Sequence, residues 1–173
     1  ALPENRTGWA NLCRILSKGR LRAKKGACHL RLSDLLERSE GLQLVLYPPY
    51  EILLQRGTHT WWPHAERVTR RLRAQMHLMI TPCYDGQDQL RFEKTARLAE
   101  QLGLQILASA RPIMHHSKRR RLADVLTAIR TNTRVDKLGR AALVNAEQRL
   151  RSEVEMYSLF YAFPQAVDRT YGL

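Results

Sequence analysis

Three short apolar runs constrain this chain most: residues 42–47 (LQLVLY), 76–81 (MHLMIT) and 104–109 (LQILAS). Each is too short for a core helix and too continuously apolar for a half-exposed strand, which is the pattern of a strand buried in a parallel sheet. Pro48-Pro49 stops the first run, and residues 82–87 form a turn after the second. Residues 88–102 carry helical periodicity, with Leu90, Phe92, Thr95, Leu98, Ala99 and Leu102 expected inward and Gly103 as the C-terminal cap. Pro63 suits the start of a helix running to about Ala74. Strands separated by helices pair in parallel through right-handed crossovers, so an α/β fold is predicted. A parallel sheet needs both faces covered and its edges protected. Three strands are few for that, and the pattern reads as part of a barrel or open sheet with strands missing.

Helices are expected on both sides of this middle. In residues 5–18, Trp9, Leu12, Cys13, Ile15 and Leu16 form an apolar stripe, Asn5 or Thr7 caps the start, and Gly19 ends it. Ser33 is expected to cap a short helix over 34–38. Beyond the third strand everything reads as helix. Residues 118–130 form one, with Leu122, Val125, Leu126 and Ile129 as its apolar positions, and 135–138 form a short one. Ser152, with Glu155 at the capping-box spacing, begins a helix over 153–161, and Pro164 opens the last, to about Tyr171. The expected division is a β/α unit over 1–130 and a helical extension over 131–173.

Charge narrows the partners. The net charge is +13 and the pI about 10.4, which favours a polyanion such as nucleic acid. The alternatives are a solvated basic face, or a basic piece of a larger protein. The block Lys118-Arg119-Arg120-Arg121 opens a helix, where the dipole disfavours cations, and so points to an anionic partner. The competing reading is a salt bridge from Asp124 to Arg120 or Arg121. The basic stretch 18–31, with Lys24 and Lys25, is either a phosphate-contacting segment or a surface loop. Trp61-Trp62 is read as a packing pair, with base stacking as the alternative. A hydrophobic fraction of 44% argues against disorder, and no apolar run is long enough to span a bilayer. The polar start without Met is expected of a processed or truncated chain, and no signal peptide is present. Cys13, Cys28 and Cys83 are odd in number and scattered, as in a reduced, cytoplasmic chain.

The residues that could carry chemistry do not assemble into a known pattern. His115, His116, His77, His29, Cys28 and Cys83 have zinc-ligand atoms but no zinc-site spacing. Cys83 follows the second strand without a spaced base, and Asp85 and Asp88 flank Gly86 as turn-capping residues commonly do. Neither phosphate-binding glycine motif is present.

A resemblance enters through longer stretches. Residues 8–16, GWANLCRIL, resemble the G-[YW]-x-N-L-x-x-L-[LI] segment of the PHP (polymerase and histidinol phosphatase) domain that opens bacterial DNA polymerase III α-subunits. Arg119-Arg120 and residues 122–130, LADVLTAIR, resemble R-R-x-L-Q-D-V-L-T-x-I-R of the same family, nearest its error-prone branch. Asn145-Ala146-Glu147, Leu150-Arg151-Ser152, Glu155-Met156 and Phe163-Pro164-Gln165-Ala166 continue the pattern in order, whereas 47–80 match it weakly.

The resemblance implies a partial PHP-type distorted β/α barrel with a helical C-terminal portion. It implies a parent DNA polymerase with Mg2+ in a palm domain lying after Leu173, and the family's opening His-x-His before Ala1. DNA, reached through the parent polymerase, is the implied partner, with the sliding clamp and other damage-tolerance proteins beside it; no membrane is implied. Where family members place an Asp and a His after the third strand, this chain has Arg111 and Ile113; only His115 matches, beyond the usual ligands. Gln148 and Arg149 stand where the family tends to have Arg and His. Arginine cannot release a proton to ligate a metal, and isoleucine has no donor atom. The expected domain is therefore a degenerate one, without metal of its own and structural in role. A metal-dependent PHP phosphoesterase or exonuclease, and a stand-alone basic nucleic-acid-binding domain using Lys118 to Arg121 with Lys24 and Lys25, are the rivals. Missing strands leave bare sheet edges and apolar surface, so the isolated chain is predicted to aggregate or to unfold with poor cooperativity; a sharp, reversible, monomeric melt contradicts this.

Overall fold

The computed structural model describes residues 1–48 and 61–173, without the side chains of residues 61–63 and 73. Pro49 and the Trp61-Trp62 packing question lie outside them. The elements run β1 (Leu2–Pro3), α1 (Arg6–Leu21), α2 (Leu32–Glu37), β2 (Leu42–Leu46), α3 (Trp61–Leu72), β3 (Met76–Ile80), α4 (Asp88–Leu102), β4 (Gln105–Ala108), α5 (Arg120–Arg130), α6 (Glu153–Leu159) and α7 (Pro164–Asp168). The sheet order is β1-β2-β3-β4. The three predicted strands are present, and they pair in parallel, Leu46 beside Leu78 and Leu78 beside Ile106. Among the described residues the sheet is open.

The register decides the core. Alternation along parallel neighbours puts Leu42, Leu44, Met76, Leu78, Ile80, Ile106 and Ala108 on one face. That face is buried against Ala65, Val68 and Leu72 of α3 and Phe92, Leu98, Ala99 and Leu102 of α4. Phe160, Ala166 and Val167 from the C-terminal helices join the same core, with the Phe160 ring 5.2 Å from that of Phe92. Each fully buried Leu or Phe contributes about 1.5–3 kcal/mol. On the opposite face His77 and Met79 are half-buried and Gln105 is exposed.

Both outer edges are less bare than three strands alone imply. β1, absent from the sequence reading, pairs antiparallel with β2, Leu2 opposite Gln43. Pro3 lacks an N–H, which an edge strand tolerates. At the other edge the Ile106 carbonyl accepts from Arg169 Nη1 at 3.0 Å.

Several helix expectations are corrected. Trp9 is 60% exposed; the buried face of α1 is Gly8, Asn11, Ile15 and Gly19. Asn5 is the cap, accepting from Gly8 N–H at 2.9 Å. Gly19 does not end α1; it lies within the helix, and a Cβ there would stand 2.4 Å from Leu30 Cδ2. Gly8 is packed against the turn entering β2, so that a Cβ would stand 1.8 Å from the Gly41 carbonyl oxygen. Asn11 Nδ2 donates to the Glu40 carbonyl at 3.1 Å in the same contact. α2 starts before Ser33, because Asp34 accepts from Arg31 N–H at 2.9 Å. Asp34 is buried yet ionised: hydrogen bonds from Arg22 and then Lys18 hold its carboxyl well below the usual carboxylate range.

In α4 the expected inward Leu90 is exposed, and Arg91 is buried in its place, bridging Asp85 and Asp88. Gly103 caps α4 at φ 63°, as expected. The predicted helix at 118–130 is a 3-10 turn, Ser117–Arg119, followed by α5; that at 135–138 is a 3-10 turn, Val135–Lys137. The last helix passes into a 3-10 turn, Arg169–Gly172. Residues 142–151, expected to be helical with their surroundings, are irregular apart from an isolated parallel bridge between Met114 and Arg149. The Ser152–Glu155 capping box is formed, with Ser152 N–H donating to Glu155 Oε2 at 2.9 Å.

Two predictions follow from this packing. Gly8→Ala forces backbone apart at α1 and should cost about 3 kcal/mol in chemical denaturation; Gly172→Ala, which meets nothing within 4 Å, should be near neutral. The Arg149 guanidinium, then the Ser152 backbone, pulls the Glu155 carboxyl from 4.5 down to about 2. A depressed carboxylate stabilises the fold above its unfolded value, and the contribution fades as pH falls through the folded one. Glu155→Gln should therefore be less stable than the parent at neutral pH, with the two stability curves converging between about pH 4.5 and 2. Parallel curves across that range contradict the assignment.

Candidate functional site

Parallel strands gather their C-terminal ends on one side of the sheet, where β/α proteins place chemistry. Here those ends carry Tyr47 after β2, Cys83 and Tyr84 after β3, and Ser109 to Met114 after β4. Arg111, at the position of a family Asp, has φ 44°, in the left-handed region that is costly for a residue with a Cβ. Its N–H donates to Ser109 Oγ at 3.1 Å. Its guanidinium carbon lies 4.7 Å from the centre of the Tyr47 ring, a contact worth about 0.5–1 kcal/mol at an exposed site. Burial pushes the Tyr47 hydroxyl above its usual 10.0.

The neighbouring turn is held by arginine in the same way. Tyr84 has φ 58°, and its hydroxyl accepts from Arg151 Nη2 at 2.6 Å. Arg151 is nearly buried and also pairs with Glu147 at 2.5 Å. Asp88 accepts from the Cys83 and Tyr84 N–H groups at 2.7 and 2.9 Å, so Asp85 and Asp88 serve the turn and Arg91.

Gln148 and Arg149, named with this turn by the resemblance, are brought to it. The Gln148 carbonyl accepts from the Ile113 and Met114 N–H groups at 2.9 and 3.2 Å, and Leu150 N–H donates to the Met114 carbonyl at 3.0 Å. Arg149 itself turns to Glu155, at 2.5 Å. Ile113 is exposed and Met114 is buried.

The histidines and cysteines are not brought together. Among the described residues no three of His, Cys, Asp and Glu are placed to hold one metal ion. His115 and His116 are exposed, and His116 Nδ1 accepts from Lys118 N–H at 3.1 Å, a local cap. His77 lies on the half-covered sheet face, where burial and then Arg169 lower its pKa from 6.5. Cys13, Cys28 and Cys83 are free thiols, all exposed.

The cation block divides. Arg120 is engaged, facing Asp124 at 3.5 Å and donating to the Leu143 and Val144 carbonyls. Lys118, Arg119 and Arg121 are exposed, and no carboxylate pairs with them among the described residues. Lys24 and Lys25 are exposed in the loop after α1, whose principal contacts run to β1, α2 and β2. Those of α5 run to the 3-10 turns beside it, so packing does not join the two basic segments. The residues that sequence reasoning missed are Tyr47, Tyr84 and Arg151; spacing offers no signal for a contact between residues 84 and 151.

No family model matches the chain. A protein named error-prone DNA polymerase from Ruegeria pomeroyi is 39% identical over 170 residues, which is 98% of this chain and 15% of that protein. Proteins of the same name from Rhodopseudomonas palustris and Mesorhizobium japonicum are each 38% identical, over 170 and 172 residues, again 98% of this chain and 15% of theirs. The chain spans about 15% of the length of the curated relatives it matches. The similarity that the motifs predict is found, and it is similarity to one segment of much longer proteins carrying that name.

Proposed function

We propose that the chain is a segment of an error-prone DNA polymerase, the PHP-type β/α portion of a partial distorted barrel, with a structural and interaction role rather than a catalytic one. In this reading nucleotide addition, with its Mg2+, belongs to a palm domain elsewhere in the polymerase. DNA is reached through that body, in the cytoplasm, with the sliding clamp and other damage-tolerance proteins as further partners. The observation that carries the non-catalytic half is Arg111: a guanidinium stacked on Tyr47 stands at the strand ends where a metal ligand is expected, and Ile113 beside it is apolar. A fixed cation there opposes a divalent ion. The polymerase half rests on identity of up to 39% along 98% of the chain.

Purified chain should carry no stoichiometric zinc or manganese and should not turn over phosphodiester substrates. Stoichiometric metal with turnover replaces this reading by that of a phosphoesterase. Sequencing the flanking DNA tests the polymerase half: intact start and stop codons around these residues in an expressed gene reject it.

A second reading, direct contact with nucleic-acid phosphates, is favoured by the unpaired Lys118, Arg119 and Arg121, with Lys24 and Lys25 as a separate basic loop. Neutralising the first three should lower the slope of log affinity against log salt by about 2–3 for duplex DNA. An unchanged slope removes them from the interface.

A further inference from the structure

The helix α5 is amphipathic with its apolar side outward. Leu122, Val125, Leu126 and Ile129 recur at i, i+3, i+4 and i+7 and so share one face. They are 50, 41, 58 and 71% exposed, whereas a side stripe on a globular helix is normally buried. The opposite side is the one in use: Ala128 is buried there, and Arg120 and Asp124 pair along it. None of the principal contacts of α5 reaches the sheet. A groove of about 450 Å³ runs beside the stripe, walled by Ile113, Met114, His115, Arg119, Leu122 and Leu126.

Charge identifies the occupant. Helical geometry sets Arg119 and Arg130 along one flank of the stripe and Arg121 along the other. All three are exposed without a carboxylate partner among the described residues. A second copy brings the same cations against them, in a chain of net charge +13. A phosphate backbone matches the arginines but offers the four apolar side chains nothing to bury. A bilayer surface is flat where this surface is grooved. A helix with an apolar ridge and acidic flanks satisfies the stripe, the groove and the arginines together, in the helix-in-groove mode of recognition. We infer that the outer face of α5 is a docking surface for an acidic amphipathic helix of a partner polypeptide, its ridge along Leu122, Val125, Leu126 and Ile129 and its carboxylates on Arg119, Arg121 and Arg130.

The probe is a labelled synthetic helix with leucine at i, i+3, i+4 and i+7 and glutamate on both flanks, titrated with the 173-residue chain by fluorescence anisotropy. A second peptide has lysine for every glutamate. The glutamate peptide should bind, more weakly as salt rises. Leu126→Glu with Ile129→Glu should weaken it by at least about tenfold. Arg121→Glu with Arg130→Glu should lose the glutamate peptide and gain the lysine one. These positions are exposed, and unchanged circular dichroism of each variant confirms the fold. The inference is overturned if the glutamate peptide fails to saturate, or if both double variants bind it as the parent does. Self-association lost in Leu126→Glu/Ile129→Glu without peptide binding assigns the face to a second copy. Binding of phosphatidylglycerol vesicles or duplex DNA in place of the peptide assigns it to lipid or to nucleic acid.

Discussion

Everything that could form a site in this chain depends on the parallel register of β2, β3 and β4. Leu46, Leu78 and Ile106 lie side by side because each strand buries the same alternate set against the helices. A one-residue slip turns that whole set to the opposite face. With the register set, the three strands end together, and Tyr47, Tyr84 and Arg111 fall within one neighbourhood although they are far apart in the chain. The close approach of α1 to the turn at Gly41 closes the other end of the same framework, since only a residue without a Cβ fits at Gly8.

At those strand ends the recurring group is the guanidinium. Arg111 lies over Tyr47, Arg151 binds Tyr84 and Glu147, and Arg91 spans Asp85 and Asp88. Each carboxylate that could have met a metal is committed to an arginine or a turn. Such ion pairs hold geometry more than they add stability, because desolvation offsets much of the Coulomb gain. The result is a rigid, cation-rich rim around two turns with left-handed residues, Tyr84 and Arg111. The arrangement suits a scaffold that must keep its shape better than it suits a reaction needing a bound cation.

The C-terminal portion divides by how it packs. The segment around Phe160, Ala166 and Val167 enters the main core, and Arg169 closes an edge of the sheet. α5 does neither. It is held through its polar side, by Arg120 reaching the Leu143 and Val144 carbonyls, and keeps its apolar side in water. Leaving four large apolar side chains exposed in one stripe opposes folding economy, and such patches mark contact surfaces.

By itself the sequence determined the three buried strands, the helix α4 with its Gly103 cap, and the Ser152–Glu155 capping box, because each is a local pattern of periodicity or hydrogen-bond chemistry. It also determined that Arg111 and Ile113 cannot ligate a metal, which follows from their atoms alone. Only the tertiary structure decided which face of a helix is inside. The periodicity of α1 favoured a stripe through Trp9, but the backbone contact at Gly41 selected Gly8, Asn11, Ile15 and Gly19. In α4 the carboxylates of the preceding turn drew Arg91 inward, where hydrophobicity favoured Leu90. In α5 an apolar stripe expected in the core faces outward. Periodicity records that a helix has two unlike faces; which one is buried depends on what long-range neighbours present to it, and that information lies tens of residues away in the chain.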